Sequence, residues 1–133
     1  MGRTRTRNAP GLVFDAGALI AVDRGDKRMI ALLQRALQQG RKIRIPAAVV
    51  GQAWRNGRVQ ASLSRFLRSD EVEIVALDAH LARACGELCG AANTSDVIDA
   101  SVVILARRRR DPIVTSDPKD LRILDPTAQP IAI

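Results

Sequence analysis

Aromatic residues are nearly absent from this chain: they make up 2% of its 133 residues, and there is no tyrosine. A core must therefore be built from Ala, Val, Leu and Ile, and a hydrophobic content of 47% is typical of a folded domain. No apolar run approaches the roughly 20 residues that a membrane helix requires. The arginine-rich start, with Arg3, Arg5 and Arg7, lacks the apolar stretch of a secretory signal. We expect a soluble, cytoplasmic protein without membrane association.

Cysteine and histidine are also scarce, which limits the metal sites that the chain can build. Cys85 and Cys89 are the only cysteines, and His80 is the only histidine. A Cys/His metal site needs more ligands than these side chains supply. The two thiols share one helical face, where α-helical geometry does not favour a disulfide, so we expect buried, reduced cysteines. The sequence also contains no P-loop and no G-x-G-x-x-G motif.

Positive charge is in excess and is unevenly distributed. Residues 1–68 contain 14 Lys/Arg against 3 Asp/Glu, a net charge of +11, whereas residues 69–133 contain 7 against 11, a net charge of −4. This asymmetry favours a basic surface that meets a polyanion, with acidic groups gathered elsewhere. A solvated basic surface without a partner is the alternative that charge alone leaves open.

Short apolar runs alternate with helical patterns along most of the chain. This alternation predicts a three-layer α/β/α fold with a central, mainly parallel sheet of four to five strands. We interpret residues 1–10 as a flexible basic leader and residues 11–133 as a single domain. Strands are predicted at 11–15, 43–45, 71–75, 112–115 and 131–133, and helices at 27–39, 47–55, 58–68, 78–90, 96–109 and 118–124, with a helical segment between Asp15 and Arg24.

Two further assignments concern apolar side chains. Ile30, Leu33 and Leu37 fall on one face of the predicted helix 27–39, which is the pattern of an amphipathic helix. The single tryptophan, Trp54, is interpreted as a core residue, because a lone Trp in an aromatic-poor domain usually packs inside; stacking on a base is the alternative.

Two aspartates are the only charged residues in otherwise apolar stretches. Asp15 ends the first predicted strand, where it serves equally well as a helix N-cap or as a functional carboxylate. Asp99 lies within the most apolar predicted helix. A carboxylate there is costly unless it is paired, neutralised or bound to a cation. A buried salt bridge is the structural alternative for Asp99.

Three more aspartates are individually weak signals. Asp96 shares a helical face with Asp99, and Asp117 follows the strand at 112–115. Asp120 is interpreted as a solvated first-turn acid. Because the carboxyl ends of parallel strands share one edge of a sheet, Asp15 and Asp117 are expected to approach each other. Clustered oxygen ligands of this kind suit Mg²⁺ or Mn²⁺.

Four segments contain these acids in order: VFDAGALI at 13–20, IPAAVVGQAWR at 45–55, TSDVIDA at 94–100 and IVTSDPKD at 113–120. Together they resemble the PIN-domain family, specifically the VapC-type toxins of bacterial type II toxin–antitoxin pairs. The resemblance spans residues 12–124. It implies a Mg²⁺-dependent endoribonuclease, with Mn²⁺ as a substitute, that cleaves RNA phosphodiesters with a metal-activated water. It also implies a homodimer that a VapB-type antitoxin holds inactive.

The same resemblance suggests roles for individual residues. The family's first, third and fourth acids match Asp15, Asp99 and Asp117, which are the expected catalytic residues and metal ligands, with Asp96 as a neighbouring ligand. A supporting hydroxyl is expected from Thr115 or Ser116. The basic residues beyond the second segment are candidates for holding the RNA backbone, with solvated helix-end arginines as the alternative: Arg55 and Arg58.

One position departs from the family pattern, because Gln52 stands where the second acid belongs. Glutamine keeps a carbonyl acceptor but supplies no negative charge. A degenerate PIN domain that binds RNA or a partner without efficient catalysis is therefore the alternative function. A receiver-like phosphotransfer module is disfavoured because Asp15 has no adjacent acid, and an Asp-x-Asp phosphatase is disfavoured because Gly17 occupies the second Asp position.

Overall fold

A computed structural model describes residues 10–133 of the chain. Of the expected basic leader, only Pro10 lies within the described residues. Five parallel strands form one sheet in the order β3-β2-β1-β4-β5. The expectation of a mainly parallel sheet of four to five strands is confirmed. The strands are β1 (Leu12–Phe14), β2 (Ile43–Pro46), β3 (Val72–Val75), β4 (Ile113–Thr115) and β5 (Ile131–Ala132).

Seven helices occur within residues 10–133 and complete a three-layer α/β/α arrangement. Helix α6 packs on β1, β2 and β4, while α1 packs on β1 and β4 and against α3 and α4. The helices are α1 (Ala16–Arg24), α2 (Lys27–Gln38), α3 (Ala47–Ala53), α4 (Ala61–Leu67), α5 (Ala79–Ala92), α6 (Val97–Arg109) and α7 (Pro118–Leu124).

The core lies around the central strand and the helix that covers it. All three residues of β1 are buried, as is the stretch of α6 from Ala100 to Ala106. The rings of Phe14 and Phe66 stack with their centroids 5.7 Å apart. Cys85 and Cys89 are buried, free thiols, as the sequence predicts. Small aliphatic side chains therefore fill most of the interior, in place of aromatic rings.

Helix α2 turns an unexpected face to the solvent. Its buried side chains are Met29 and Ala36, whereas Ile30 and Leu37 are 44% and 49% exposed. Of the predicted apolar face, Leu33 packs against the core, whereas Ile30 and Leu37 point outward. Two large aliphatic side chains therefore lie on the outer surface of α2.

The assignment of Trp54 to the core is wrong. Trp54 is the C-cap residue of α3 and is 36% exposed, because the chain leaves the helix there in an extended conformation. Its ring lies against Gly57, where an added Cβ would be 2.8 Å from the indole.

Within residues 10–133, no single helix has the length and hydropathy to cross a membrane; α5 and α6 reach them only jointly, across a bend of 106°.

The strand order creates a crevice at one end of the sheet. From β1 the chain passes to β2 and β3 on one side, and later to β4 and β5 on the other. The segments that follow β1 and β4 therefore diverge at the carboxyl ends of two adjacent strands. Such a switch point is where open α/β sheets bind ligands.

Candidate active site

Asp15 lies at this switch point, directly after β1, and is only 7% exposed. It is the N-cap of α1: its Oδ1 accepts a hydrogen bond of 2.9 Å from the Ala18 amide, and its Oδ2 accepts one from the Thr115 hydroxyl. Burial raises the pKa of Asp15; these two hydrogen bonds oppose the rise, and the charge of Asp117 adds to it. Asp15 is thus both a helix cap and a carboxylate in the crevice.

Thr115 joins the two strand ends of the site. It is the last residue of β4 and is fully buried. Its Oγ1 donates to Asp15 and accepts a hydrogen bond of 2.9 Å from the Asp117 amide. Thr115 therefore positions the carboxylate of one strand and the backbone that carries the carboxylate of the other.

Ser116 is placed differently from Thr115. It is exposed, and its side chain packs over Gly17 in the first turn of α1. A Cβ on Gly17 would overlap the Ser116 Oγ and lie 3.1 Å from the Ser116 Cβ. Glycine at position 17 thus permits the close approach of α1 to the segment after β4. Of the two candidate hydroxyls, only that of Thr115 contacts an acid.

Asp117 and Asp96 are the N-caps of the other two helices that begin at the site. The Asp117 Oδ1 accepts from the Asp120 amide at 3.4 Å at the start of α7, where Pro118 is the first residue. The Asp96 Oδ1 accepts from the Asp99 amide at 3.0 Å at the start of α6. Both caps are exposed. The positive ends of three helix dipoles therefore converge on this edge of the sheet.

Asp99 is half-buried in the first turn of α6. Burial, together with the negative charges of Asp96, Asp15 and Asp120, raises its pKa to about 7. Acids from three segments of the chain therefore lie close enough for their charges to act on Asp99. Within residues 10–133 no ion pair involves Asp99, so the alternative of a buried salt bridge is not what the structure contains.

Asp120 belongs to the same group, although the sequence suggested only a solvated acid. It is exposed, and its pKa is raised chiefly by the charge of Asp117 and also by that of Asp96. Together with Asp96 and Asp99 it lines a cavity of about 230 Å³. Its position three residues after Asp117, in the first turn of a helix, is the sequence signal that could have included it.

The five carboxylates have no basic partner among the described residues. The ion pairs there join Arg44 to Glu73 and Asp111, and Arg107 to Asp125. Oxygen donors that repel one another in this way fit a divalent cation, which would reverse the repulsion. As the side chains stand, no three His, Cys, Asp or Glu residues within 10–133 are arranged to hold a metal together. Cation binding would therefore require these carboxylates to move closer together.

The residues around the missing acid occupy an exposed segment at the end of α3. Gln52 is exposed in the last turn of α3, and its side chain makes no hydrogen bond within residues 10–133. The Arg55 guanidinium donates to the carbonyl oxygens of Gly51 at 3.0 Å and Trp54 at 2.7 Å, so part of it caps α3. Arg58 is exposed, and within the described chain its guanidinium makes no hydrogen bond.

Gln60 organises this segment, a role that the sequence did not reveal. Its Oε1 accepts from the amides of Arg55 and Asn56 at 2.7 and 2.9 Å, and its Nε2 donates to the Ala53 carbonyl at 2.8 Å. One side chain thus closes the loop from 54 to 60. Arg55 and Arg58 therefore lie on a loop whose backbone is held by hydrogen bonds to Gln60.

No protein-family model and no curated protein sequence matches this chain. Among solved structures it is similar to VapBC2 from Rickettsia felis bound to a promoter DNA fragment, with 18% identity, a TM-score of 0.64, and coverage of 84% of this chain and 92% of that one. It is similar to a toxin–antitoxin complex from Klebsiella pneumoniae, with 17% identity and a TM-score of 0.67. That match covers 92% of this chain and 100% of the other. It is also similar to VapC20 of Mycobacterium tuberculosis, a sarcin–ricin loop cleaving toxin. The identity is 13% and the TM-score 0.66, and the match covers 92% of this chain and 100% of that one.

This chain has the fold of VapC-type PIN-domain toxins. The likeness covers nearly the whole length of each of these three chains. In this VapC-type fold the acidic crevice lies at the β1–β4 switch point. At such low sequence identity the likeness establishes the fold, and the chemistry must be argued from the side chains of the crevice.

Proposed function

We propose that this protein is a Mg²⁺-dependent endoribonuclease that acts as the toxin of a toxin–antitoxin pair. The observation that supports this most is the acidic crevice: five carboxylates from three segments meet at the switch point without a basic partner in residues 10–133. The VapC-type fold and the RNA-cleaving activity named for one structural neighbour agree with it. Hydrolysis of an RNA phosphodiester is the reaction that such a site suits.

The donor set fits Mg²⁺, or Mn²⁺ in its place, held by Asp15, Asp99 and Asp117 with help from Asp96. When bound, the cation would supply Lewis acidity and charge neutralisation for phosphodiester hydrolysis. Thr115 and the Ala18 amide hold the Asp15 carboxylate in one orientation. Asp96 and Asp117 each use one oxygen to cap a helix, which leaves the other oxygen available. Asp120 adds a fifth negative charge.

Gln52 is the residue on which the alternative function, RNA binding without efficient cleavage, depends. With glutamine in place of an acid, the site has one negative charge fewer than the family pattern provides. Weaker cation binding would then give a protein that binds RNA without efficient cleavage. Restoring the acid by Gln52→Glu separates these two functions.

The experiment is RNA cleavage by the full chain in Mg²⁺ and in EDTA, comparing wild type, Asp99→Asn and Gln52→Glu. Asp78→Asn is the control, because it makes the same Asp-to-Asn exchange at an exposed N-cap outside the crevice, where asparagine still caps a helix. We expect EDTA to abolish cleavage and Asp99→Asn to reduce it roughly 100-fold or more. Gln52→Glu should lower the Mg²⁺ concentration needed, and Asp78→Asn should behave as wild type.

Equal cleavage by wild type and Asp99→Asn would exclude the crevice as the active site. Cleavage that appears only in Gln52→Glu would establish the degenerate PIN domain instead. A wild type that cleaves equally well in EDTA would exclude the Mg²⁺ requirement.

We also propose two partners. Structural neighbours named as VapBC and toxin–antitoxin complexes support a VapB-type antitoxin as the inhibitor. A homodimer is proposed from the resemblance to VapC-type toxins. A mass in solution equal to a single chain at micromolar concentration, measured by light scattering, would contradict the dimer.

A further inference from the structure

A group of basic residues gathers at the end of the sheet opposite to the acidic crevice. Arg41 and Lys42 precede β2, while the C-terminus of α6 runs directly into the segment before β4. We call these residues the basic pole: Arg41, Lys42, Arg108, Arg109 and Arg110.

Contacts through the start of β1 place both stretches on one surface. Arg41 donates to the carbonyl oxygen of Pro10 at 2.8 Å. The Gly11 amide donates to the Asp111 carboxylate at 2.9 Å, and Asp111 directly follows Arg110. Arg41 and the end of the arginine run at Arg110 therefore both adjoin Pro10 and Gly11. In sequence, residues 1–9 add three arginines and no acid immediately before this point.

The arginine half of the basic pole has little local compensation, whereas Lys42 lies beside Asp70, whose carbonyl oxygen accepts from its Nζ at 2.9 Å. The last three arginines of the run are exposed and form no ion pair within residues 10–133. Asp111, the nearest acid in sequence, is occupied by Arg44 at 3.1 Å and by the Gly11 amide. Arg107 differs from its neighbours because it pairs with Asp125 at 3.3 Å. It is therefore left out of the basic pole.

A helix dipole does not account for so many charges. One or two cations in the last turn of α6 interact favourably with its C-terminus. Further arginines repel one another unless a polyanion neutralises them. At the other end of the same helix, Asp96 and Asp99 repel an RNA backbone. Affinity for RNA must therefore come from surfaces away from the carboxylates.

We infer that the basic pole binds the phosphate backbone of the RNA that the acidic crevice cleaves. The inference rests on the proposed function and specifies its substrate: an RNA long enough to reach both ends of α6. Asp99 and Arg109 are ten residues apart, which corresponds to about 15 Å along the helix axis. A di- or trinucleotide at the crevice would not extend over the whole of this path, whereas a folded RNA would.

The test uses a triple variant, Arg108→Gln, Arg109→Gln and Arg110→Asn. Asparagine suits position 110, because Arg110 has a φ of 57°. A second triple variant, Arg28→Gln, Arg35→Gln and Arg83→Gln, is the matched control. It removes the same charge from exposed arginines that make no hydrogen bond within residues 10–133. Binding of a labelled RNA hairpin is measured by fluorescence anisotropy at several salt concentrations, with Asp99→Asn in every protein to keep the RNA intact.

We expect the basic-pole variant to bind the hairpin at least 10-fold more weakly than the control variant. The slope of log affinity against log salt should fall by about 2 to 3, as expected for the loss of about three phosphate contacts. In proteins that retain Asp99, cleavage of a trinucleotide should be the same in both triple variants. Thermal midpoints check that both variants are folded.

Equal hairpin affinity and equal salt slopes in the two triple variants would overturn the inference. A basic-pole variant that binds the hairpin normally but loses the antitoxin would overturn it in favour of an acidic protein partner. The proposed function fails separately, by absence of Mg²⁺-dependent cleavage in the wild type, since the binding comparison does not depend on cleavage.

Discussion

Three aspartates of the crevice have two roles at once. From sequence, a cap and a functional carboxylate were competing interpretations of Asp15. The structure makes Asp15, Asp96 and Asp117 all helix caps and also places them where their charges act on neighbouring acids. A carboxylate has about four lone pairs, and a single cap bond uses only one of them. Local capping signals thus predicted where the acids begin helices, but could not show that they share one volume.

Asp99 gives a prediction about pH and stability in the metal-free protein. Its pKa is about 7 in the folded state and 3.8 in the reference state. Between these values the folded protein holds a proton that the unfolded chain has lost. The contribution of Asp99 to the free energy of unfolding should therefore fall as the pH rises from about 4 to about 7. Thermal midpoints of wild type and Asp99→Asn, recorded in EDTA across this range, measure the effect.

The comparison with Asp99→Asn is needed because other carboxyls titrate in the same range. We expect the wild type to lose stability relative to the variant as the pH rises, so that Asp99→Asn is the more stable protein at pH 8. Parallel curves for the two proteins would show that burial and repulsion do not act on Asp99 as described.

At the level of helices and strands, the sequence predicted helix bounds correctly where capping residues within the helix itself set them. Helix α7 has the predicted bounds, because Asp117 caps it and Pro118 fits its first turn. Helix α3 ends at Ala53, two residues earlier than predicted. The Ala53 carbonyl is satisfied by Gln60, a contact from outside the helix that periodicity could not reveal.

In helix α2 the sequence pattern did not identify the buried face. Its apolar residues cover more than one face, so the pattern predicts a helix but does not decide which face the sheet covers. The structure buries Met29 and exposes Ile30 and Leu37.

The prediction for α2 tests which of its faces is buried. The double substitution Ile30→Ser and Leu37→Ser should change the free energy of unfolding by no more than about 0.5 kcal/mol per site, because both side chains are largely exposed. Ile123→Ser is the matched control on α7, since Ile123 is 57% exposed. Urea denaturation of the three proteins measures the effect. A loss of about 2 kcal/mol or more per site would show that Ile30 and Leu37 are buried.

At the level of the whole molecule, the strand order explains why residues distant in sequence meet. Alternating strands and helices predicted a parallel sheet, and a parallel sheet predicts that Asp15 and Asp117 approach each other. The order β3-β2-β1-β4-β5 adds what the sequence could not provide: β1 and β4 are direct neighbours, so Thr115 bonds to Asp15 across 100 residues. The same topology places the arginines that end α6 opposite the acids that begin it.

We propose that these acids converge because a divalent cation binds among them. The most direct measurement is the anomalous difference map of crystals grown with Mn²⁺, with crystals of Asp99→Asn treated identically. We predict a strong peak within coordination distance of Asp99 and at least one of Asp15 and Asp117 in the wild type, and a weakened or absent peak in the variant. Carboxylates that remain without a peak at saturating Mn²⁺, or a peak only at other residues, would contradict the account.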